Sequence, residues 1–466
     1  MKTFFIILCL QLFLYSYTID FNESLNKTLE NNKGLKAKQL EIEKAKISVD
    51  EASGYNYGNL VFQENISRTN NAGYVFGMKL ASREADFGAF GFNEFISQMD
   101  TITPTSPTYD GGTKILATQP NDLNYPGYRT NYETKVVYQA PIFTGFKLDS
   151  AKKMAQLQLL AQKAKYMYDE KNLALEVIKA YNGAVAAREF IKATQKAKKA
   201  TVSFVEFARA LYDEGLVTNI DVKQAQVYDM GVEAQKIEAQ NRFELAIAYL
   251  RFLTSDYEIS DVGDFKSVYI DTTTIEALEK KIYENRDDYL WMKYNTQTLK
   301  SKIDFESAGK YPTIGVQAEY GYNDDTFSTS NIDEKDYYMG AIGISYTLFD
   351  GGVTSKKSQK AKIEYNQILN NFEYMKDGIK LEVEKNILTL KAKEKMLKQK
   401  IKAQKLSDEV LEQSSQMYKN HLINMSNLLM QQANQQKASA QTIMAKYEKS
   451  LAAAQVKISL GESLKW

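Results

Sequence analysis

A strict alternation of apolar residues with polar or small ones is the clearest pattern in the chain, and it runs from Tyr311 to Asn323. This is the period of a strand with one covered face. One face carries Ile314, Val316, Ala318, Tyr320 and Tyr322, and the other carries Thr313, Gly315, Gln317, Glu319 and Gly321. A second run from Tyr337 to Leu348 repeats the pattern after a polar loop, so this region predicts a hairpin.

Two weaker alternating runs, 57–67 and 131–140, predict another pair of strands. Glu64 interrupts the apolar face of the first run. Each of the four strands has about ten residues, the length that a tilted strand needs to cross a bilayer. Tyrosines near the strand ends suit lipid headgroups, so membrane-crossing strands are favoured over soluble hairpins.

Two long stretches, about 147–212 and 354–418, contain no proline and have helical periodicity. In the first stretch the apolar residues form two stripes, which indicates neighbours on two sides of the helix. The stripes are Met154, Leu157, Ala161, Ala164, Tyr168, Leu175, Ile178 and Val185, and Leu173, Val177, Ala180, Ala184 and Ala187. A simple coiled coil is the alternative, but it does not account for the strands in both halves.

The two halves of the chain are related by a fixed offset, which predicts an internal duplication. The segments APIFTGF and YTLFDGG each end a strand run, and 206 residues separate Phe143 from Phe349 and Tyr212 from Tyr418. Upstream of these motifs the offset becomes 256 residues, so the first half carries about 50 additional residues there. The repeated unit is helix, strand, loop, strand, helix, turn, helix.

The turn after each long helix has the features of a tight hairpin tip. In LYDEGLVTNIDVKQAQ, Gly215 is a candidate helix C-terminal stop. Thr218 and Asp221, three residues apart, are typical of a capping box for the next helix. In the second half, MYKNHLINMSNLLMQQ has His421 where the first half has Gly215.

The N-terminal segment MKTFFIILCLQLFLYSYT predicts a secretory signal peptide. Lys2 gives the charged region, an apolar stretch follows, and Ser16 and Thr18 are small enough for a cleavage site. A membrane anchor is the alternative, although the run is short for one. The only cysteine, Cys9, lies in this segment, so the predicted mature chain has no thiol for disulfides, nucleophilic catalysis or metal binding.

The remaining composition argues against enzymatic or nucleic-acid functions. With 59 basic and 58 acidic residues, the chain has no overall field to attract nucleic acid. His421 is the only histidine, so Ser-His-Asp triads and histidine metal sites lack parts. No GxxxxGK[ST] motif is present. We therefore predict no enzyme, no cofactor and no metal; a secreted hydrolase using carboxylates is the remaining enzymatic alternative.

The additional residues of the first half, about 68–130, contain DFGAFGFNEF, PTSPTYDGG and four of the six prolines. The glycines do not lie between a strand and a helix, as a nucleotide-binding fingerprint requires. A long extracellular loop is the better interpretation, since long loops of outer-membrane barrels lie outside the cell. The segment Tyr74–Leu80 is predicted to extend the first strand.

These motifs, in this order and repetition, resemble the TolC-type outer-membrane efflux protein family, the outer-membrane factors of tripartite efflux pumps and type I secretion systems. The resemblance covers nearly the whole mature chain. Its carriers are PIFTG at 141–145, LFDGG at 348–352, AGKYP at 308–312, EGLVTNIDVKQAQ at 214–226 and LGES at 460–463.

The resemblance implies an α+β membrane protein: a long α-helical coiled-coil barrel plus a transmembrane β-barrel, with four strands per chain, two internal structural repeats and a homotrimer. It implies a passive exit duct in the bacterial outer membrane, with the helical part in the periplasm. The implied partners are a periplasmic membrane-fusion adaptor, an inner-membrane pump or ABC transporter, and outer-membrane lipid. Elementary physics agrees with assembly, because four strands leave two open edges that lipid does not tolerate.

The expected organisation follows from these elements. It comprises a signal peptide at 1–18, a first-repeat helix at 19–56, strands with a long loop at 57–141, a helical hairpin and equatorial link at 142–270, a second-repeat helix at 271–311, strands at 312–349, and a hairpin with the C-terminus at 350–466. A periplasmic coiled-coil scaffold without a pore is the alternative function.

The resemblance also assigns roles to the hairpin tips. The implied adaptor contacts are Gly215, Leu216, Val217, Thr218, His421, Leu422, Ile423 and Asn424. Asp221 matches a position that forms a pore constriction in the family, and Asn427 is its counterpart in the second half. Helix capping by Asp221 is the competing hypothesis, and Asn427 and Met430 leave the second half without the usual carboxylates.

Overall fold

A computed structural model describes residues 17–268, 270, 282–327 and 332–464. The chain forms two compact units, one of residues 1–46, 157–297 and 365–466, the other of residues 47–156 and 298–364. The predicted signal peptide, apart from Tyr17 and Thr18, lies outside the described residues. So does the beginning of the predicted helix at 271–311, because residues 271–281 are not described.

The elements of the first half, in chain order, are β1 (Tyr17–Ile19), α1 (Phe21–Asn31), α2 (Lys33–Gly54), β2 (Asn59–Thr69), α3 (Ala72–Ala81), α4 (Phe92–Ser97), α5 (Thr113–Ala117), α6 (Asn121–Asn124), β3 (Arg129–Phe143), α7 (Lys147–Asp213), α8 (Asn219–Thr254) and β4 (Ile259–Val262). Those of the second half are α9 (Asp287–Ser307), β5 (Thr313–Asp324), α10 (Ile332–Lys335), β6 (Asp336–Ser345), α11 (Val353–Lys419) and α12 (Met425–Ser459).

The second unit is built on an antiparallel sheet in the order β2-β3-β5-β6. All four strand segments expected from the alternation lie in this sheet, with end points shifted by a few residues. The largest shift is at β6, which ends at Ser345 rather than near Leu348. Register aligns Phe62 with Val136, and Val136 with Tyr320, so apolar positions of adjacent strands fall on one face.

The insertion between β2 and β3 is not a simple loop, because it contains the short helices α3 to α6. The prediction that Tyr74–Leu80 extends the first strand is wrong, since this segment lies in α3. The Asn71 side chain accepts a hydrogen bond from the Tyr74 backbone N–H at 3.3 Å. This N-cap starts a helix in an apolar run that has no strand alternation to oppose it.

The junctions between strands and long helices are tight turns at the repeated motifs. Gly145 has φ +64°, and an added Cβ would lie 2.5 Å from the Ala308 carbonyl oxygen, so only glycine fits. In the second half, the Asp350 carboxylate accepts from the backbone N–H groups of Gly352 (2.8 Å) and Thr354 (2.7 Å). Hydrogen bonds from the Thr354 side chain and backbone lower the pKa of Asp350. The carboxylate therefore caps the start of α11 while ionised.

The long helices occur at matching positions in the two halves. Each end of α11 lies 206 residues after the same end of α7 (147 to 353, and 213 to 419), and α12 begins 206 residues after α8 (219 to 425). The first-repeat helix predicted at 19–56 is instead two helices, α1 and α2, separated at Asn32. In the described part of the chain, no helix combines the length and apolar character needed to cross a membrane.

The first unit has its main core where α1 and the middle parts of the long helices meet. Its largest fully buried side chain is Tyr181, which packs edge-on against Phe21 with ring centroids 5.8 Å apart. A small parallel pairing of β1 with β4 borders this core. The sequence analysis missed this pairing, because strands of three and four residues are too short to display a period.

Candidate functional sites: hairpin tips and strand sheet

Both hairpin tips, which lie in the first unit, end their long helices with the same hydrogen-bond pattern. In the first tip, Gly215 N–H donates to the Tyr212 carbonyl and Leu216 N–H donates to the Leu211 carbonyl. The second tip repeats these bonds six residues out of seven along, with His421 donating to the Tyr418 carbonyl and Leu422 to the Met417 carbonyl. This is the Schellman ending, in which the residue after the cap adopts a left-handed backbone.

The left-handed residue differs between the tips. Gly215 has φ +72° and His421 has φ +62°. Glycine adopts this conformation freely, whereas a residue with a Cβ pays about 1–2 kcal/mol. His421 is exposed, so its strain is not offset by a buried contact.

Each tip then starts its second helix with a side-chain cap. The Asp221 carboxylate accepts from the Thr218 backbone N–H at 3.2 Å and from the Thr218 hydroxyl at 3.1 Å, as the capping hypothesis requires. In the second tip the Asn424 side chain accepts from the Asn427 backbone N–H at 3.0 Å. The cap has therefore moved from the third helical residue to the N-cap itself.

A buried apolar cluster joins the two hairpins just behind the tips. We call it the tip cluster; its buried members are Ala208, Leu211, Val222, Ala225, Tyr418, Met425, Leu428 and Leu429. Val217 and Ile423 pack against it, whereas Leu216 and Leu422 are exposed. Burial raises the pKa of Tyr418 to about 12, with a further contribution from the Asp221 charge. The predicted adaptor-contact residues are thus split between the cluster and the surface.

The strand sheet has two chemically different faces. On one face large apolar side chains are exposed although nothing in the described chain covers them; they are Leu60, Phe62, Ile66, Tyr138, Tyr320, Tyr338, Ile342 and Ile344. Glu64 lies on this face, and its carboxylate accepts from the Thr134 hydroxyl. The opposite face is polar, with Glu133 and Lys135 on β3. These two residues were missed by the sequence analysis, although they occupy alternate positions of the weaker 131–140 run.

The end of α3 is attached to the ends of three strands by a group of ion pairs. We call it the anchor cluster: Ser82, Glu84, Arg129, Asp324 and Lys335. Glu84 pairs with both Arg129 and Lys335, and Lys335 Nζ lies 2.8 Å from an Asp324 carboxylate oxygen. Glu84, Asp324 and Asp325 are close enough to hold a metal ion, but Arg129 and Lys335 already balance these carboxylates.

Sequence comparison finds relatives among outer-membrane proteins. A family model described as outer membrane efflux protein matches residues 109–255 and 280–462. Outer membrane protein TolC of Vibrio cholerae is 26% identical over 225 residues, which cover 47% of this chain and 50% of that protein. The chain spans about half the length of the curated relatives it matches.

Structural comparison extends the similarity to nearly the full length. The crystal structure of CusC gives a TM-score of 0.78 at 11% identity, covering 96% of this chain and 94% of that chain. The Campylobacter jejuni CmeC outer membrane channel gives a TM-score of 0.75 at 13% identity, covering 95% and 85%. These similarities confirm the fold expected from the sequence, long helices combined with a β domain.

Proposed function

The chain belongs to the outer membrane efflux protein family, and we propose that it is a passive exit duct of a tripartite efflux pump or a type I secretion system. The expected location, the outer membrane with the helical part in the periplasm, is confirmed by this membership. The observation that carries the proposal is the four-stranded sheet, whose apolar face is exposed and whose edge strands β2 and β6 have no partner in the described chain.

The sheet supports a homotrimer that closes a twelve-stranded barrel. The strands alternate in direction from β2 to β6, so β6 of one copy would run antiparallel to β2 of the next. Unpaired strand edges are costly in lipid, where no water is available for the backbone groups. Three copies remove all edges, and twelve strands leave a wider interior than the side-chain-filled bore of eight.

The hairpin tips would contact a periplasmic adaptor protein, which connects the duct to an inner-membrane pump or ABC transporter. Leu216 is 55% and Leu422 68% exposed at equivalent positions of the two tips. Apolar side chains that are exposed on adjacent, mutually packed tips favour a protein partner. The rest of each tip, Gly215 to Thr218 and His421 to Asn424, would hold these leucines in place.

The proposed pore constriction at Asp221 and Asn427 competes with the capping role of Asp221. The two hydrogen bonds with Thr218 support capping. Asp221→Ala separates the two roles: a constriction predicts larger conductance, whereas a cap predicts lower thermal stability with unchanged conductance. Asn424→Ala is the matched control, because it removes the cap of the other tip without removing a charge.

The duct is tested with protein purified in mild detergent. We expect a trimer that resists heating in detergent and carries ionic current across planar lipid bilayers. A water-soluble monomer without current would favour the alternative, a periplasmic coiled-coil scaffold. A stable trimer that stays silent, both as the unsubstituted protein and as Asp221→Ala, would contradict the duct.

A further inference from the structure

The polar face of the sheet contains a compact group of charged side chains at mid-strand. We call it the charged belt: Glu133, Lys135, Glu319 and Tyr337. Lys135 Nζ lies 3.0 Å from Glu133 Oε1 and 3.5 Å from Glu319 Oε1. The Tyr337 hydroxyl donates to Glu319 at 2.7 Å and lies 3.2 Å from Glu133 Oε1. Three strands thus hold four polar groups together.

Gly321 makes room for the charged belt. It lies between Lys135 and Tyr337 in the strand register. A Cβ at this position would lie 2.7 Å from Lys135 Cβ and 3.1 Å from the Tyr337 hydroxyl oxygen. Only glycine lets both side chains converge here, so the arrangement depends on a specific gap in the sheet.

The charged belt has an excess of one negative charge per chain, since two carboxylates face one ammonium group. The other side chains on the same face at mid-strand are uncharged; they include Gln63, Asn65, Gln139, Gln317 and Asn323. Arg129, farther along β3, pairs with Glu84 and Asp325 and does not reach the belt. The local charge is therefore set by Glu133, Glu319 and Lys135.

The orientation of this face follows from the two-faced sheet and rests on the proposed duct function. The opposite face exposes large apolar side chains suited to lipid, so the face with the charged belt would line the bore. Copies of the chain would place their belts at the same height and form a ring. Rings of like charge in a pore attract counter-ions and repel ions of the same sign.

We propose that Glu133 and Glu319 determine the ion selectivity of the duct within its strand section, where they favour cations. Lys135 limits this preference, and Tyr337 positions the Glu319 carboxylate. This selectivity would be independent of the hairpin tips, whose only candidate carboxylate, Asp221, is engaged in capping.

The experiment measures reversal potentials of single channels under a KCl gradient. We expect cation preference for the unsubstituted protein, anion preference for the double variant Glu133→Gln/Glu319→Gln, and stronger cation preference for Lys135→Gln. Glu64→Gln is the matched control, because it removes a carboxylate from the apolar face of the same strands and should leave the reversal potential unchanged. Heat-resistant trimers and normal conductance establish that each variant is folded.

Several outcomes would overturn the assignment. If the double variant keeps the original reversal potential while conducting normally, the charged belt does not select ions. If Asp221→Asn moves the reversal potential and the belt variants do not, selectivity belongs to the tips. If the double variant does not assemble, the opposite shifts expected of Glu133→Gln and Lys135→Gln decide the matter. A trimer without current contradicts the duct, and this proposal with it.

Discussion

At the residue scale, the two hairpin tips hold the same left-handed backbone with different residues. Gly215 adopts it freely, whereas His421 adopts it at φ +62° with its side chain exposed. We predict that His421→Gly raises stability by about 1 kcal/mol, because it removes the steric cost of the Cβ. Thermal unfolding followed by circular dichroism in detergent measures the change.

The matched control for this prediction is Gly215→Ala. No atom lies within 4 Å of the position that an added Cβ would occupy there, so only backbone conformation is altered. We expect a loss of about 1 kcal/mol. If the two substitutions shift the melting temperature in the same direction, backbone strain is not the cause.

A second residue-scale prediction concerns Asp229, which connects α8 to α7. Burial acts to raise the pKa of Asp229, but hydrogen bonds from Thr201 (2.7 Å) and Lys198 (2.9 Å) outweigh it and lower the pKa below its usual value. A carboxyl group whose pKa is lower in the folded state stabilises the fold above its unfolded pKa, about 3.9, and this contribution is lost as the pH falls through the folded value.

We therefore expect Asp229→Asn to destabilise the protein by about 1–2 kcal/mol at pH 7, the usual value for a charge-assisted hydrogen bond. The difference from the unsubstituted protein should shrink as the pH is lowered from 5 toward 2. Melting temperatures of both proteins across this range measure it. A difference that stays constant with pH would mean that packing, not the carboxylate charge, stabilises this contact.

At the element scale, the anchor cluster attaches the insertion to the sheet. Glu84 contacts both Arg129 and Lys335, and its removal leaves two largely buried cations without this partner. We predict that Glu84→Gln weakens the attachment by about 1–2 kcal/mol. The insertion should then be cleaved by trypsin roughly tenfold faster, since about 1.4 kcal/mol changes an opening equilibrium tenfold.

Asp122→Asn is the control for the insertion. Asp122 is an exposed carboxylate of the same segment, and it is not part of the anchor cluster. Its substitution should leave the cleavage rate unchanged. Equal rates for Glu84→Gln and the unsubstituted protein would show that contacts other than these ion pairs hold the insertion.

The elements that the sequence predicted well are those with many periods. The two long helices begin and end within about one residue of their predicted limits, because 67 residues of unbroken 3.6-residue periodicity leave little freedom. Tyr74–Leu80 was assigned to a strand because it is uniformly apolar, a pattern that periodicity cannot resolve. The Asn71 cap, which decides the matter, is a local hydrogen bond rather than a pattern.

The candidate sites were predictable to different degrees. The tips could be located from Gly215, Thr218 and Asp221, since capping chemistry is local in sequence. The charged belt could not, because Lys135 and Glu319 meet only through the register of β3 with β5, which no local pattern determines. Sequence alone predicts the faces of strands more readily than the neighbours across them.

At the scale of the whole molecule, the duplicated hairpins must have equal lengths for their tips to meet in the tip cluster. Both α7 and α11 have 67 residues. Removal of seven residues from each arm of one hairpin keeps its helical faces in phase but shortens it by about 10 Å. That tip would withdraw from its neighbour and expose the apolar side chains of the tip cluster.

We predict that deletion of 195–201 with 228–234 lowers the melting temperature, and that deletion of 401–407 with 434–440 in the other hairpin does the same. Because these segments are 206 residues apart, the combined deletion shortens both hairpins equally and brings the tips back together. It should therefore be more stable than either single-hairpin deletion, although it removes more contacts. If stability instead falls additively, the hairpins do not depend on each other, and their equal length has no role in packing the tips.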